Sequence, residues 1–88
     1  MEGYVLAAFR SRTQTMAFYD RLKRAGCNAS VVNTPKEAHV GCGVSVRFYK
    51  TCLSLAEREL YLGRFSAFAG FFELRPYGGT IVVKTLKK

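Results

Sequence analysis

Tryptophan is absent from this chain, proline occurs twice, histidine once, and only six of the 88 residues are acidic. Each scarcity removes a class of function. The lone His39 has no carboxylate placed to orient it as a base, and neither an HExxH helix nor a glycine-rich phosphate loop is present, so the chain is expected not to be an enzyme. Cys27, Cys42 and Cys52 form no CxxC pair and are odd in number, which disfavours both a disulfide framework and a zinc site. No metal or other cofactor is expected. The N-terminus has no basic region followed by an apolar segment, and no run approaches the roughly 20 apolar residues that span a bilayer. A soluble, cytoplasmic protein with reduced thiols and no membrane partner is therefore expected.

What the chain does have is apolar and basic. Hydrophobic residues make up 49% of it, with seven Phe and five Tyr, enough for one packed α+β domain over residues 1–88. A domain this small buries only about 60–65% of the surface of its unfolded chain, so the aromatic content exceeds what its core needs. A homodimer that shields one face is expected from that surplus. The net charge of +8 calls for an acidic partner. Its cations are scattered, with only Arg21-Lys23-Arg24 and Lys84-Lys87-Lys88 grouped, so weak, non-specific nucleic-acid binding is the expectation from charge alone.

The order of elements follows from periodicity and punctuation. Gly3 to Phe9 reads as a continuous apolar strand. Ser11 with Gln14 forms a capping box that starts a helix near Arg12. Met16, Tyr19, Leu22 and Ala25 repeat at helical spacing as its core stripe, and Gly26 ends it in a left-handed cap. A strand from Cys27 to Asn33 stops at Thr34-Pro35. Val44 to Tyr49 alternates as a half-buried strand, antiparallel to the one before it. Ser54 with Glu57 forms a second capping box, opening a helix through about Arg64 with Leu55, Ala56, Tyr61 or Leu62, and Phe65 facing the core. Ala69 to Arg75 is the next strand, Pro76 to Gly79 a turn, and Thr80 to Leu86 a returning strand. The result is a ferredoxin-like βαββαβ sandwich: an antiparallel sheet with two helices on one face and an extra C-terminal strand.

Between two of these strands lies the segment that carries chemistry, Thr34-Pro35-Lys36-Glu37-Ala38-His39-Val40-Gly41-Cys42-Gly43. Gly41 and Gly43 strip steric cover from the Cys42 thiol and free backbone N–H groups to turn toward it, while Lys36 and His39 add positive charge. All three features favour the thiolate, the form that acts as a nucleophile. The same residues also permit a plainer reading, with two turn glycines and a small apolar filler at the start of a strand. Cys27 follows a helix-ending glycine and Cys52 precedes the second helix; both read as structural, although Cys52 is able to act as a resolving thiol if the loops converge.

The element order, together with Thr34-Pro35-Lys36-Glu37 and Cys42-Gly43-Val44-Ser45-Val46-Arg47-Phe48, resembles a family of small selenium/sulfur carrier-like proteins. The resemblance runs from about Tyr4 to Arg75. Its specific part is a proline followed by a basic residue, a short polar stretch, Cys-Gly and an apolar strand, met here by Pro35, Lys36, Cys42 and Gly43, with Arg47 in the strand. The family's loop is usually rich in serine before the cysteine and has arginine after the proline, where this chain has His39-Val40-Gly41 and Lys36. The resemblance implies that Cys42 accepts sulfur or selenium as a persulfide-type adduct. Lys36, His39 and Arg47 are then candidate thiolate stabilisers. A sulfur donor such as a cysteine desulfurase and an acceptor protein are the implied partners. The alternative is a non-enzymatic basic module for nucleic acid or an acidic protein, with Cys42 incidental.

Overall fold

A computed structural model describes residues 3–77 and 80–87. The chain runs β1 (Tyr4–Phe9), α1 (Arg12–Arg24), β2 (Ala29–Asn33), β3 (Val44–Tyr49), α2 (Leu53–Gly63), β4 (Phe68–Tyr77) and β5 (Thr80–Lys87). All pairings are antiparallel, and the strands lie in the order β2-β3-β1-β4-β5. The first four strands have the ferredoxin-like arrangement, with β5 added at the edge beyond β4. Of the expected turn, Pro76 and Tyr77 belong to β4, while Gly78 and Gly79 lie outside the described residues.

β1 is the centre of the molecule because both of its neighbours are long strands and both of its faces are covered. Val5, Ala7 and Phe9 point to one side, where they join Phe18 and Leu22 of α1, Ala56 of α2, and Val46, Phe48 and Phe71 in one buried cluster. Both helices thus contribute to the same side of the sheet. Phe9 is the hub of its aromatic part, meeting Phe18, Phe65 and Phe68 with ring centroids 5.2, 5.4 and 5.6 Å away. On the opposite side, Ala8, Ala69 and Phe72 are packed by Val40. Part of the surface for which a second copy of the chain was expected is therefore covered by the chain's own loop.

The cap of α1 is as the sequence implies on one side only. Ser11 Oγ accepts from the Gln14 amide at 3.2 Å, but the Gln14 side chain does not return to the cap. Its Nε2 donates to Ser66 Oγ at 2.9 Å and its Oε1 accepts from the Ala67 amide at 2.8 Å. Gln14 thereby ties the start of α1 to the approach of β4, and the Arg10 amide donates to the Ala67 carbonyl at 2.7 Å beside it.

The buried stripe of α1 differs from the expected one by about one residue. Thr15, Phe18 and Leu22 are buried, Tyr19 is half-buried, Ala25 is exposed and Met16 is 43% exposed. The polar Thr15 hides the true register, because its hydroxyl is satisfied by the Ser11 carbonyl at 3.0 Å and so tolerates burial. The end of α1 displaces the start of β2. Gly26 (φ 93°) donates to Lys23 O and Cys27 N donates to Leu22 O, the two bonds of a Schellman cap. Cys27 and Asn28 are consumed by that cap, and the strand begins only at Ala29.

α2 also departs from expectation at its start. No side chain caps it; a 3-10 turn over Lys50–Cys52 leads straight into Leu53, so Ser54 lies within the first turn rather than before it. Ala56 is buried as expected and Glu59 joins it, while Tyr61 and Leu62 are 82% and 54% exposed, in place of the core role expected for one of them. Glu59 is held by Arg21 of α1, Nε and Nη2 each 3.1 Å from Oε1, which clamps the helices together.

The observed register separates two neighbouring residues cleanly. Phe18→Ala is expected to lower the stability measured by urea unfolding by about 3–5 kcal/mol, and Met16→Ala to change it by no more than about 0.5 kcal/mol.

Candidate functional site

The loop between β2 and β3 is closed at its base by Thr34 N donating to Gly43 O at 2.8 Å. Within it, Pro35 leads a single 3-10 turn over Lys36–Ala38, which His39 terminates in the left-handed region at φ 51°. Gly41 and Gly43 follow with φ of 89° and 99°, values that a side chain at either position resists. Gly41 is constrained twice. A Cβ there would sit 3.2 Å from the Phe9 carbonyl oxygen. That close approach lets the Cys42 amide donate to the same carbonyl at 3.0 Å.

This bond delivers Cys42 to the corner where β1 ends and α1 begins. Its Sγ lies 3.6 Å from Thr15 Oγ1 and 3.7 Å from the Val44 carbonyl oxygen, and the residue is half-buried. The Val44 carbonyl accepts only from the protonated thiol. Thr15 serves either state: its hydroxyl accepts from the thiol while donating to Ser11 O, or turns to donate to the thiolate. When it turns, Ser11 O keeps the bond from the Thr15 amide at 3.0 Å, so ionisation leaves no buried acceptor unsatisfied.

Partial burial pushes the Cys42 thiol up, but backbone hydrogen bonding at Val44, the Thr15 hydroxyl, its own backbone and the charge of Arg12 outweigh burial and hold it below the ordinary cysteine value. The carbonyl contact itself favours the protonated form, so the lowering belongs to groups that favour the thiolate: the backbone at Val44 first, then the Thr15 hydroxyl, the backbone of Cys42 and the charge of Arg12. Cys27 behaves in the opposite way. Burial first, then hydrogen bonding to Cys52 and the electrostatic effect of that neighbour, push it up to about 12, against a smaller lowering by Lys23. Cys52 packs against the core cluster that contains Cys27. The three thiols are free, and of the two with a resolved shift it is Cys42 whose thiolate is favoured.

The other expected site residues divide into two groups. Pro35, Lys36, His39, Gly41 and Gly43 do come together, lining an open cleft of about 620 Å³ with Arg10, Thr34 and Val40. Cys42 lies beside that cleft rather than in its wall. Arg47 is elsewhere: β3 pairs it with Leu6 on β1, and its guanidinium carbon sits 4.7 Å from the ring centroid of Tyr4, pointing away from the Phe9 end that holds Cys42. The expectation that Arg47 stabilises the thiolate has no support in this geometry. The residues that do reach the thiol, Thr15 and Arg12, were not legible as such. The Ser11 capping signal locates the helix start, but nothing local in the sequence reveals that a loop 27 residues later folds against it.

Among the described residues no group of His, Cys, Asp and Glu is arranged to hold a metal ion, and no helix is long and apolar enough to cross a membrane. The chain matches the family described as "Putative Se/S carrier protein-like" over residues 4–61. It belongs to that family. The match spans β1 to α2, including the whole loop that bears Cys42, and stops before β4, somewhat short of the extent the sequence resemblance implied. No curated protein and no solved structure matches the chain.

Because the lowering at Cys42 comes partly from Thr15, Thr15→Val is expected to slow iodoacetamide alkylation of Cys42 at neutral pH about fivefold, corresponding to roughly 1 kcal/mol for one lost hydrogen bond. The pH–rate profile, followed by peptide mapping, should move to higher pH in the variant. In the parent protein Cys42 should label well before Cys27 at every pH below 9, since the Cys27 value lies near 12.

Proposed function

We propose that this protein carries a sulfur or selenium atom on Cys42. The observation that carries this reading is the contrast between its thiols: Cys42 is half-exposed and favoured as the thiolate, whereas Cys27 is buried and held protonated. Membership of a family described as carrier-like supports it. In the transfer, the Cys42 thiolate attacks the outer sulfur of a persulfide on a donor such as a cysteine desulfurase. The donor's S–S bond breaks, its inner sulfur leaves as a thiolate, and Cys42 keeps the outer sulfur with its proton as a persulfide. The exchange is redox-neutral and needs no cofactor. A terminal selenium follows the same course. Release to an acceptor protein repeats the step with the acceptor thiolate as attacker. A carrier needs no base on its thiol: a lowered pKa and access suffice.

Incubation with a cysteine desulfurase and cysteine should add the mass of one sulfur atom to the intact protein, removable by reductant. Cys42→Ser should lose that addition entirely with its fold unchanged, while Cys27→Ala should retain it. Loading of Cys42→Ser to the parent level would refute the reading.

A second reading, a basic module that binds single-stranded nucleic acid, is favoured by one feature at the Tyr4–Tyr49 end of the sheet. Tyr4 on β1 and Tyr49 on β3 are cross-strand partners stacked with centroids 5.1 Å apart, Tyr49 is 40% exposed, and Arg47 lies over Tyr4. Aromatic side chains on the two central strands of such a sheet are a common base-stacking platform. On this reading the parent protein should bind a fluorescent oligouridine in low salt, and Tyr49→Ala should weaken binding about tenfold, in keeping with roughly 1–3 kcal/mol per stacked base. Equal binding by parent and variant would dismiss the platform.

A further inference from the structure

The cleft beside Cys42 contains an arrangement that thiolate chemistry does not use. Arg10, at the end of β1, faces Lys36 and His39 of the loop across an open space of about 620 Å³. All three side chains are exposed. Among the described residues none of the three makes an ion pair, the salt bridges there belonging to Arg21, Lys50 and Arg58. No described side chain in the cleft wall is acidic. Arg10 and Lys36 are like charges, and an anion entering the cleft relieves their repulsion. The backbone adds donors. Val40, Gly41 and Gly43 line the same cleft, their amides donate to no acceptor among the described residues, and the two glycines carry no side chain to screen them.

Nor do these cations act on the thiol. The charge that lowers Cys42 is that of Arg12, and neither Lys36 nor His39 contributes to the shift. Both side chains belong to the cleft side of the loop. A forked guanidinium, an ammonium, an imidazole and backbone amides around a shallow open space suit a compact oxyanion with several acceptor oxygens and more than one negative charge. We propose that the cleft lined by Arg10, Lys36, His39 and Gly41 to Gly43 is a binding site for a phosphate-class oxyanion, free or as a group on a small molecule. The bound group would lie one residue along the chain from Cys42. Its bearing on chalcogen transfer rests on the carrier reading, where it would anchor an anionic donor next to the accepting thiol; the binding itself does not depend on that reading.

The test uses the full chain carrying Cys42→Ser, which holds no chalcogen, so that anion binding is read apart from transfer. Inorganic phosphate is titrated at low, constant ionic strength against a matched chloride control, and amide shifts are followed by heteronuclear NMR. The expected result is a saturable shift concentrated at Val40, Gly41, Gly43 and Arg10 that chloride does not reproduce. Arg10→Gln and Lys36→Gln should each weaken half-saturation about threefold or more, the loss of roughly one charge contact, and Arg58→Gln, on α2, should leave it unchanged. A phenyl phosphate titration distinguishes a free ion from a group on a larger molecule: equal affinity marks the ion alone, tighter affinity a carried group, and both support the site. Shifts that do not saturate, that chloride matches, or that persist unweakened in both cleft variants would overturn it. Binding of an oligonucleotide without binding of phosphate would also overturn it, assigning the basic surface to nucleic acid instead.

Discussion

The hydrogen bond from the Cys42 amide to the carbonyl of Phe9 joins a loop that has little structure of its own to the most deeply buried strand of the sheet. Phe9 is held by three aromatic contacts and by its place at the end of β1, so its carbonyl is offered from a packed strand end. The approach demands a glycine at position 41, where any Cβ would crowd that same oxygen in a conformation that L side chains resist. The thiol, the cleft and the Val40 contact on the far face of the sheet all depend on this one attachment.

Placing the loop at the β1–α1 corner also decides the electrostatics. The helix start supplies the Thr15 hydroxyl and the Arg12 charge, neither of which neighbours Cys42 in the chain. Burial opposes ionisation at Cys27 and at Cys42, yet it dominates only at Cys27, where donors do not offset it. Cys27 has the same chemistry as Cys42 and the opposite tendency, because it is sealed into the core beside a second thiol. Reactivity among these thiols is therefore a property of their surroundings, with the loop glycines acting through backbone geometry and access.

The loop has two working sides. One faces the start of α1 and tunes the sulfur; the other faces solvent and gathers Arg10, Lys36 and His39 around an open cleft. Gly41 and Gly43 separate the two, since backbone without side chains lets the main chain pass between them without filling either. Arg47, which the sequence places in the next strand and near the cysteine, is directed by the strand's alternation onto the Tyr4 ring at the other end of the sheet.

Local signals in this sequence determined the kind and order of its elements. The alternation from Val44 to Tyr49, the cap at Ser11 and the glycine after α1 each rest on interactions within a few residues, and each appears where expected. The placing of Cys42 in a turn between two glycines was legible for the same reason, because flanking residues are local facts. What only the tertiary structure decided were the quantities set by contacts between distant segments. The buried face of α1 turned on whether Thr15 found a partner, the start of α2 on a 3-10 turn arriving from β3, and the fate of each thiol on what packed against it. The lining of the cleft belongs with these, for Arg10 meets Lys36 only once β1 and the loop are joined. Such outcomes depend on desolvation and on donors brought from elsewhere in the chain, and residue spacing along a sequence does not encode either one.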